Sequence, residues 1–167
     1  MALNIAVDDR NRMTYIGVPI SARFSEFGAP GGPNEAVPRI YQWLAEHEIS
    51  PIGGPLFIYR HIGDPADPVD LTVGVPTAEA VHPSAGLVFG ALPPGNYLVG
   101  RHTGPPDEIP VAQAEVRAWA EQNGVTISSS AESDGESWTG HAEHFLTNPA
   151  DEPDKSKWVT ELLYLTE

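Results

Sequence analysis

The chain has 167 residues, enough for one domain with a substantial core. Its formal net charge of −14 argues against direct nucleic-acid binding, which needs clustered Lys and Arg, and favours the approach of small cations. It contains no cysteine, so disulfides and thiolate metal sites are excluded.

Residues 3–7 are short and apolar, and Asp8-Asp9-Arg10-Asn11 is expected to break that element. Residues 13–24 read as a strand carrying Tyr15, Ile16, Val18 and Ile20, with Pro19 pointing to an edge or a bulge. A Gly/Pro loop follows at 27–34. A helix is expected over 35–48, because Val37, Ile40, Tyr41 and Leu44, with Trp43 and His47, recur at helical spacing. Pro38 then belongs in its first turn.

Residues 56–62 and 69–75 read as strands around the turn-rich 63–68. Residues 87–92 and 96–103 read as extended around Pro93-Pro94-Gly95. A second helix is expected over 108–123, with its stripe at Ile109, Ala112, Val116, Trp119 and Ala120. Asp107 is the expected N-cap and Gly124 the stop. Residues 128–136 are polar and read as a linker. Trp43 and Trp119 sit on helix stripes and are assigned to the core.

The most informative stretch is 138–165. It reads as two strands, 138–146 and 158–165, joined by an acidic loop after Thr147-Asn148-Pro149. Alternation puts Thr139, His141, Glu143 and Phe145 on one face, and Trp138, Gly140, Ala142, His144 and Leu146 on the other. Glu161 sits among Val159, Leu163 and Leu165. A carboxylate among apolar neighbours is costly unless water, hydrogen bonds or an outside cation compensates it.

The order strand, helix, hairpin occurs twice, over about 1–85 and 86–167. Trp43-Leu44-Ala45-Glu46 echoes Trp119-Ala120-Glu121, and Asp64-Pro65-Ala66-Asp67 echoes Asn148-Pro149-Ala150-Asp151. The expected fold is α+β, one domain of two like halves. Their strands form a curved antiparallel sheet with both helices on one face and a groove on the other.

His141 and His144 invite a metal reading. Strand alternation sends them to opposite faces, and neither the H-E-x-x-H spacing nor partnering cysteines are present. No metal or cofactor is expected.

The segments GGPLFIYR, VDLTVGVP, LPPGNYLVGRHTGPPDEI and WTGHAEHFLTNPADEPDKSKWVTELLYL together resemble the GyrI-like small-molecule-binding domain. This is the effector-binding domain of bacterial multidrug-responsive transcription activators, which also occurs free-standing. The resemblance spans 13–166 and implies a groove for amphipathic, often cationic, aromatic compounds, with an acid at its floor.

The family's E-x-[YF]-x-x-[DN]-P pattern falls on Glu143, Phe145, Asn148 and Pro149, and its Thr-Glu pair on Thr160-Glu161. Its H-x-G-P-Y segment is met by His102, Gly104 and Pro105, with Pro106 in place of the aromatic. The resemblance therefore implies Glu143 as the ligand's counter-charge, with Glu161 and His102 nearby. Trp138, Phe145, Tyr59, Tyr97 and Trp158 are the candidate walls.

With no room for a DNA-binding segment before residue 13, the expectation is a stand-alone member. The leading partner is a hydrophobic, cationic small molecule. One rival is a hydrolase of cyclopropane-bearing natural products using Glu143 with Trp138 or Phe145. The other is a protein-interaction module like the family's gyrase-inhibiting namesake. The chain start lacks a signal-peptide pattern and no apolar run reaches about 20 residues, so a cytoplasmic location is expected.

Overall fold

The computed structural model describes residues 2–167. Its order is β1 (Ala2–Arg10), β2 (Met13–Ala22), α1 (Pro33–Glu46), β3 (Leu56–Gly63), β4 (Val69–Pro76), β5 (Val88–Leu92), β6 (Gly95–Thr103), α2 (Ile109–Gln122), β7 (Ser129–Glu132), β8 (Gly135–Phe145) and β9 (Val159–Leu165). All nine strands form one antiparallel sheet, ordered β1-β6-β9-β8-β3-β4-β2-β5, with β7 paired to β8. The α+β class and the large antiparallel sheet with two helices agree with the sequence reading.

Several elements differ from expectation. β1 runs through Asp8-Asp9-Arg10 because the β6 backbone pairs with it to its end, Arg10 opposite Gly95. Residues 129–132 are no linker: they pair with β8, Ser129 opposite Trp138. Asp107 does not cap α2. It lies in a short 3-10 turn, Pro106–Glu108, that leads into the helix, and no side chain caps the helix start. Gly124 does follow the helix end, at φ +68, where a residue without Cβ is least strained. Pro19 pairs with Thr72 of β4 at a point beyond the β5 ladder, so its missing N–H costs no hydrogen bond.

The cross-strand register shows which side each helix covers. Ile5, Gly100, Leu162, Glu143, Phe57, Val73 and Val18 stand opposite one another in one row across the sheet. Directly opposed residues share a face. Phe57 and Val73 pack with Ile40, Trp43 and Leu44 of α1. Leu162 packs with Ile109, Ala112 and Val116 of α2. Both helices therefore cover the face that holds Glu143. A Cβ on Gly100 would collide with Val116, so this glycine lets α2 seat closely on the sheet.

The opposite face is concave. Only residues 11–12 join β1 to β2, and only 93–94 join β5 to β6, although each pair lies near opposite ends of the strand order. Links that short span about 11 Å at most, so the sheet must curl. Leu56, Ile58, Leu92, Tyr97, Val99, Ala142 and Leu163 fill the inside of the curl. Among the described residues, no helix is long and apolar enough to cross a membrane.

Candidate functional site

The Glu143 cavity lies beside α2, on the helix-covered face of the sheet. The sequence reading put it on the other face. The reason is simple: the two helices cover the two ends of the Glu143 row and leave its middle uncovered. The cavity holds about 410 Å³ and is lined by Phe24, Tyr59, Ile62, Ile109, Pro110, Gln113, Arg117, Glu136, Trp138, His141, Glu143 and Tyr164.

The floor is built from two adjacent cross-strand rows. One is the Glu143 row. The next runs Leu98, Tyr164, His141, Tyr59 and Leu71. His141 therefore lies between two tyrosines. Its ring stacks on Tyr164 at 4.0 Å between centroids, 11° from parallel, and tilts against Tyr59 at 5.3 Å. His141 Nδ1 lies 2.9 Å from the Leu163 carbonyl oxygen, which can only accept, so Nδ1 carries the proton. Burial pushes the His141 pKa down to about 4, so the ring is neutral at neutral pH.

Glu143 is 9% exposed. The Tyr59 hydroxyl donates to its Oε1 at 2.8 Å, and Gln113 Nε2 donates to its Oε2 at 3.1 Å. Gln113 Oε1 in turn accepts from the Tyr164 hydroxyl at 2.6 Å. Both donors to the carboxylate are neutral, and no ion pair to Glu143 occurs among the described residues. Burial raises its pKa, and the Gln113 and Tyr59 hydrogen bonds only partly oppose that rise. Burial beside this carboxylate also raises the Tyr59 pKa far above its ordinary range, so Tyr59 remains a donor.

Ile109, Gln113 and Arg117 follow one another at four-residue spacing on α2 and form one wall. Trp138 forms the opposite wall, although strict alternation assigned it to the other face from Glu143. Between His141 and Ser137 the pairing slips, so that four steps on β8 oppose two on β3. This bulge turns Trp138 round to His141, 4.8 Å between ring centroids. The buried Trp138 indole N–H has no acceptor among the described residues. Phe24, half exposed at the rim, stands 6.4 Å from the Tyr59 ring.

Of the residues singled out from sequence, Glu143, Tyr59 and Trp138 converge here. Phe145 is on the same face but packs edge-on against Phe57 at 5.0 Å and seals the core beside the cavity. Tyr97 lies in the concave core, its hydroxyl donating to the Pro93 carbonyl. The Trp158 indole N–H donates to the Glu152 carbonyl at 2.7 Å, which staples the 148–157 loop. His102 is fully buried, 3.4 Å from Glu108 at the start of α2.

Glu161 faces away from the cavity, because it is one residue out of phase with Leu162 in the Glu143 row. Arg10 holds it bidentately, at 3.0 Å to each oxygen, and Arg101 lies 3.7 Å off. Burial alone would raise its pKa, but Arg10, His144 and Arg101 outweigh that and lower it.

Among the cavity residues that the sequence did not mark as ligand contacts are His141, Gln113, Arg117 and Tyr164. Two-residue alternation from Leu162 would have found Tyr164, and four-residue spacing from Ile109 would have found the other two on α2. His141 and His144 do point to opposite faces. One group with metal-ligand atoms close together, His61, Glu132 and Asp134, lies beside the β7–β8 turn outside the cavity, and both its carboxylates are exposed.

The sequence profile of the GyrI-like small-molecule-binding domain matches residues 23–164. The chain belongs to the GyrI-like family. Its structure is similar to the C-terminal domain of EcmrR, with a TM-score of 0.71 at 16% identity over 100% of this chain and 99% of that one. EcmrR in its DNA complex gives 0.79 at 15% identity; it covers 99% of this chain, which spans only 57% of that longer protein. SAV2435 bound to tetraphenylphosphonium gives 0.58 at 14% identity, covering 98% and 94% of the two chains. A hydrolase from Listeria innocua gives 0.64 at 14% identity, covering 98% and 91%. At these identities the likeness is one of fold. No protein of curated function matches the chain by sequence.

Proposed function

We propose that this GyrI-like domain binds amphipathic cations bearing aromatic groups, with Glu143 as their counter-charge. The observation that carries the reading is a buried carboxylate whose only partners among the described residues are two neutral donors, in a cavity lined by Trp138, Tyr59, Tyr164 and His141. Burying an ionised carboxylate without a cation costs several kcal/mol. A guest that brings the cation offsets that cost, and aromatic faces add about 0.5–2 kcal/mol of attraction. The SAV2435 structure, bound to tetraphenylphosphonium, supports this choice of ligand class. The same reading takes 1–167 as one cytoplasmic domain made of two like halves, and drug or toxin sequestration as its role.

The test is calorimetric titration of tetraphenylphosphonium into wild type and Glu143→Gln. The expected loss of affinity in the variant is about tenfold or more, the worth of one desolvated charge contact. Equal affinity in both proteins would remove Glu143 from the proposal.

One observation favours a hydrolytic reading as second choice. Tyr59 supplies beside Glu143 the hydroxyl that Phe145 lacks. Turnover of a cyclopropane-bearing electrophile by wild type, lost in both Glu143→Gln and Tyr59→Phe, would establish it. Binding without turnover would refute it.

A further inference from the structure

The cavity already contains a cation of its own. The Arg117 guanidinium carbon lies 6.0 Å from the Trp138 ring centroid and 6.0 Å from that of Tyr164. Its Nη2 donates to Glu136 Oε1 at 2.8 Å. Both rings and both charged residues line the Glu143 cavity. We infer that Arg117 is the resting occupant of the cavity's cation position, and that a cationic guest binds by displacing it.

This rests on the proposed function and adds a competitor to it. Two positive charges cannot share the faces of Trp138 and Tyr164 without repulsion in a partly dry site. Arg117 is free to leave: its side chain is 43% exposed, and it is rooted on the solvent-facing flank of the α2 stripe. Gln113, one turn earlier on α2, holds Glu143 and does not have to move. When Arg117 swings out, Glu136 loses its partner and becomes a second carboxylate facing the guest. The guest's charge therefore meets Glu136 at the mouth and Glu143 at the floor. Selectivity follows from this exchange. A neutral guest of the same shape gains nothing from the rings' attraction for cations, and leaves Arg117 in place.

The experiment titrates two probes of similar shape, tetraphenylphosphonium and neutral triphenylphosphine oxide, into wild type, Arg117→Gln, Arg117→Met and Arg117→Lys. Thermal unfolding verifies that each variant is folded, and the Met variant keeps the alkyl packing should Gln disturb it. The two uncharged variants are expected to bind the cation roughly two- to thirtyfold more tightly than wild type, the range spanned by one cation–aromatic contact. Arg117→Lys should stay near wild type, and the oxide should bind all four proteins alike.

An equal gain for both probes would show that Arg117 merely obstructs the cavity, and would overturn the inference. So would wild-type binding of the cation that Arg117→Gln and Arg117→Met match or weaken. Failure of every protein to bind the cation is a different result: it removes the proposed function itself, and the inference falls with it.

Discussion

Glu143 and Glu161 sit on adjacent strands, with 9% and 8% of their surfaces exposed, yet the sheet treats them in opposite ways. Glu143 opens into a cavity beside α2 and receives hydrogen bonds from neutral Tyr59 and Gln113. Glu161 turns into the concave face, where the curl of the sheet brings the end of β1 across and Arg10 clamps it with two hydrogen bonds. Among the described residues, one carboxylate has a cationic partner and the other has none. Burial alone therefore does not mark a binding site; burial without an internal counter-ion does.

The largest effect that would break this contrast is on stability. Arg10→Gln strands Glu161 as a poorly paired buried charge, because Arg101 is more distant and itself half exposed. The expected loss is about 3–4 kcal/mol at pH 7, measured by urea unfolding. A loss below about 1 kcal/mol would mean that the clamp is no more than a surface ion pair.

Acid should weaken the fold in two stages. His141 has its pKa lowered to about 4 in the folded chain by burial, and titrates at its ordinary, higher value when unfolded. Its contribution is intact above about pH 6.5 and is lost as pH falls toward 4, up to about 3 kcal/mol. Burial lowers the His144 pKa as well, with the same sign. Glu161, whose folded pKa is depressed, keeps its stabilisation above its unfolded pKa of about 4.3 and loses it only as pH falls further. Urea midpoints from pH 7 to 3 should thus fall in two stages. His141→Gln should shrink the first to the His144 share and leave the second.

The smallest expected effect concerns Glu143 without ligand. Its folded pKa is raised, so its cost to stability is absent below about pH 4.3 and grows as pH rises through the folded pKa. Glu143→Gln sets one amide against the Gln113 amide at every pH. The informative quantity is therefore the pH dependence of the difference between variant and wild type. Melting curves should show the variant gaining stability on wild type between pH 4 and pH 8. A difference that stays flat with pH would place an undetected positive partner at Glu143.

Much of the architecture was legible because it rests on local periodicity. Ile40, Trp43 and Leu44 on α1, and Ile109, Ala112 and Val116 on α2, are buried as their spacing requires. Most strand ends fall within two residues of those read from alternation and turns. The errors share a cause. Alternation was applied without the slip opposite Tyr59 and His61, so Trp138 was sent to the wrong face. Asp8 and Asp9 looked like a break because a single chain does not show that β6 pairs alongside them.

The sequence by itself determined the α+β class, the order of the elements apart from β7, and Glu143 as an acid in apolar surroundings. These follow from the side chains' own periodicity and solvation. Only the tertiary structure decided which glutamate has a counter-ion and on which face the cavity opens, and only it brings Gln113, Arg117 and Tyr164 to Glu143. Those facts depend on sheet curl, strand register and one bulge, which join residues far apart in the chain; periodicity assigns a residue to a face but does not name its partner across the fold.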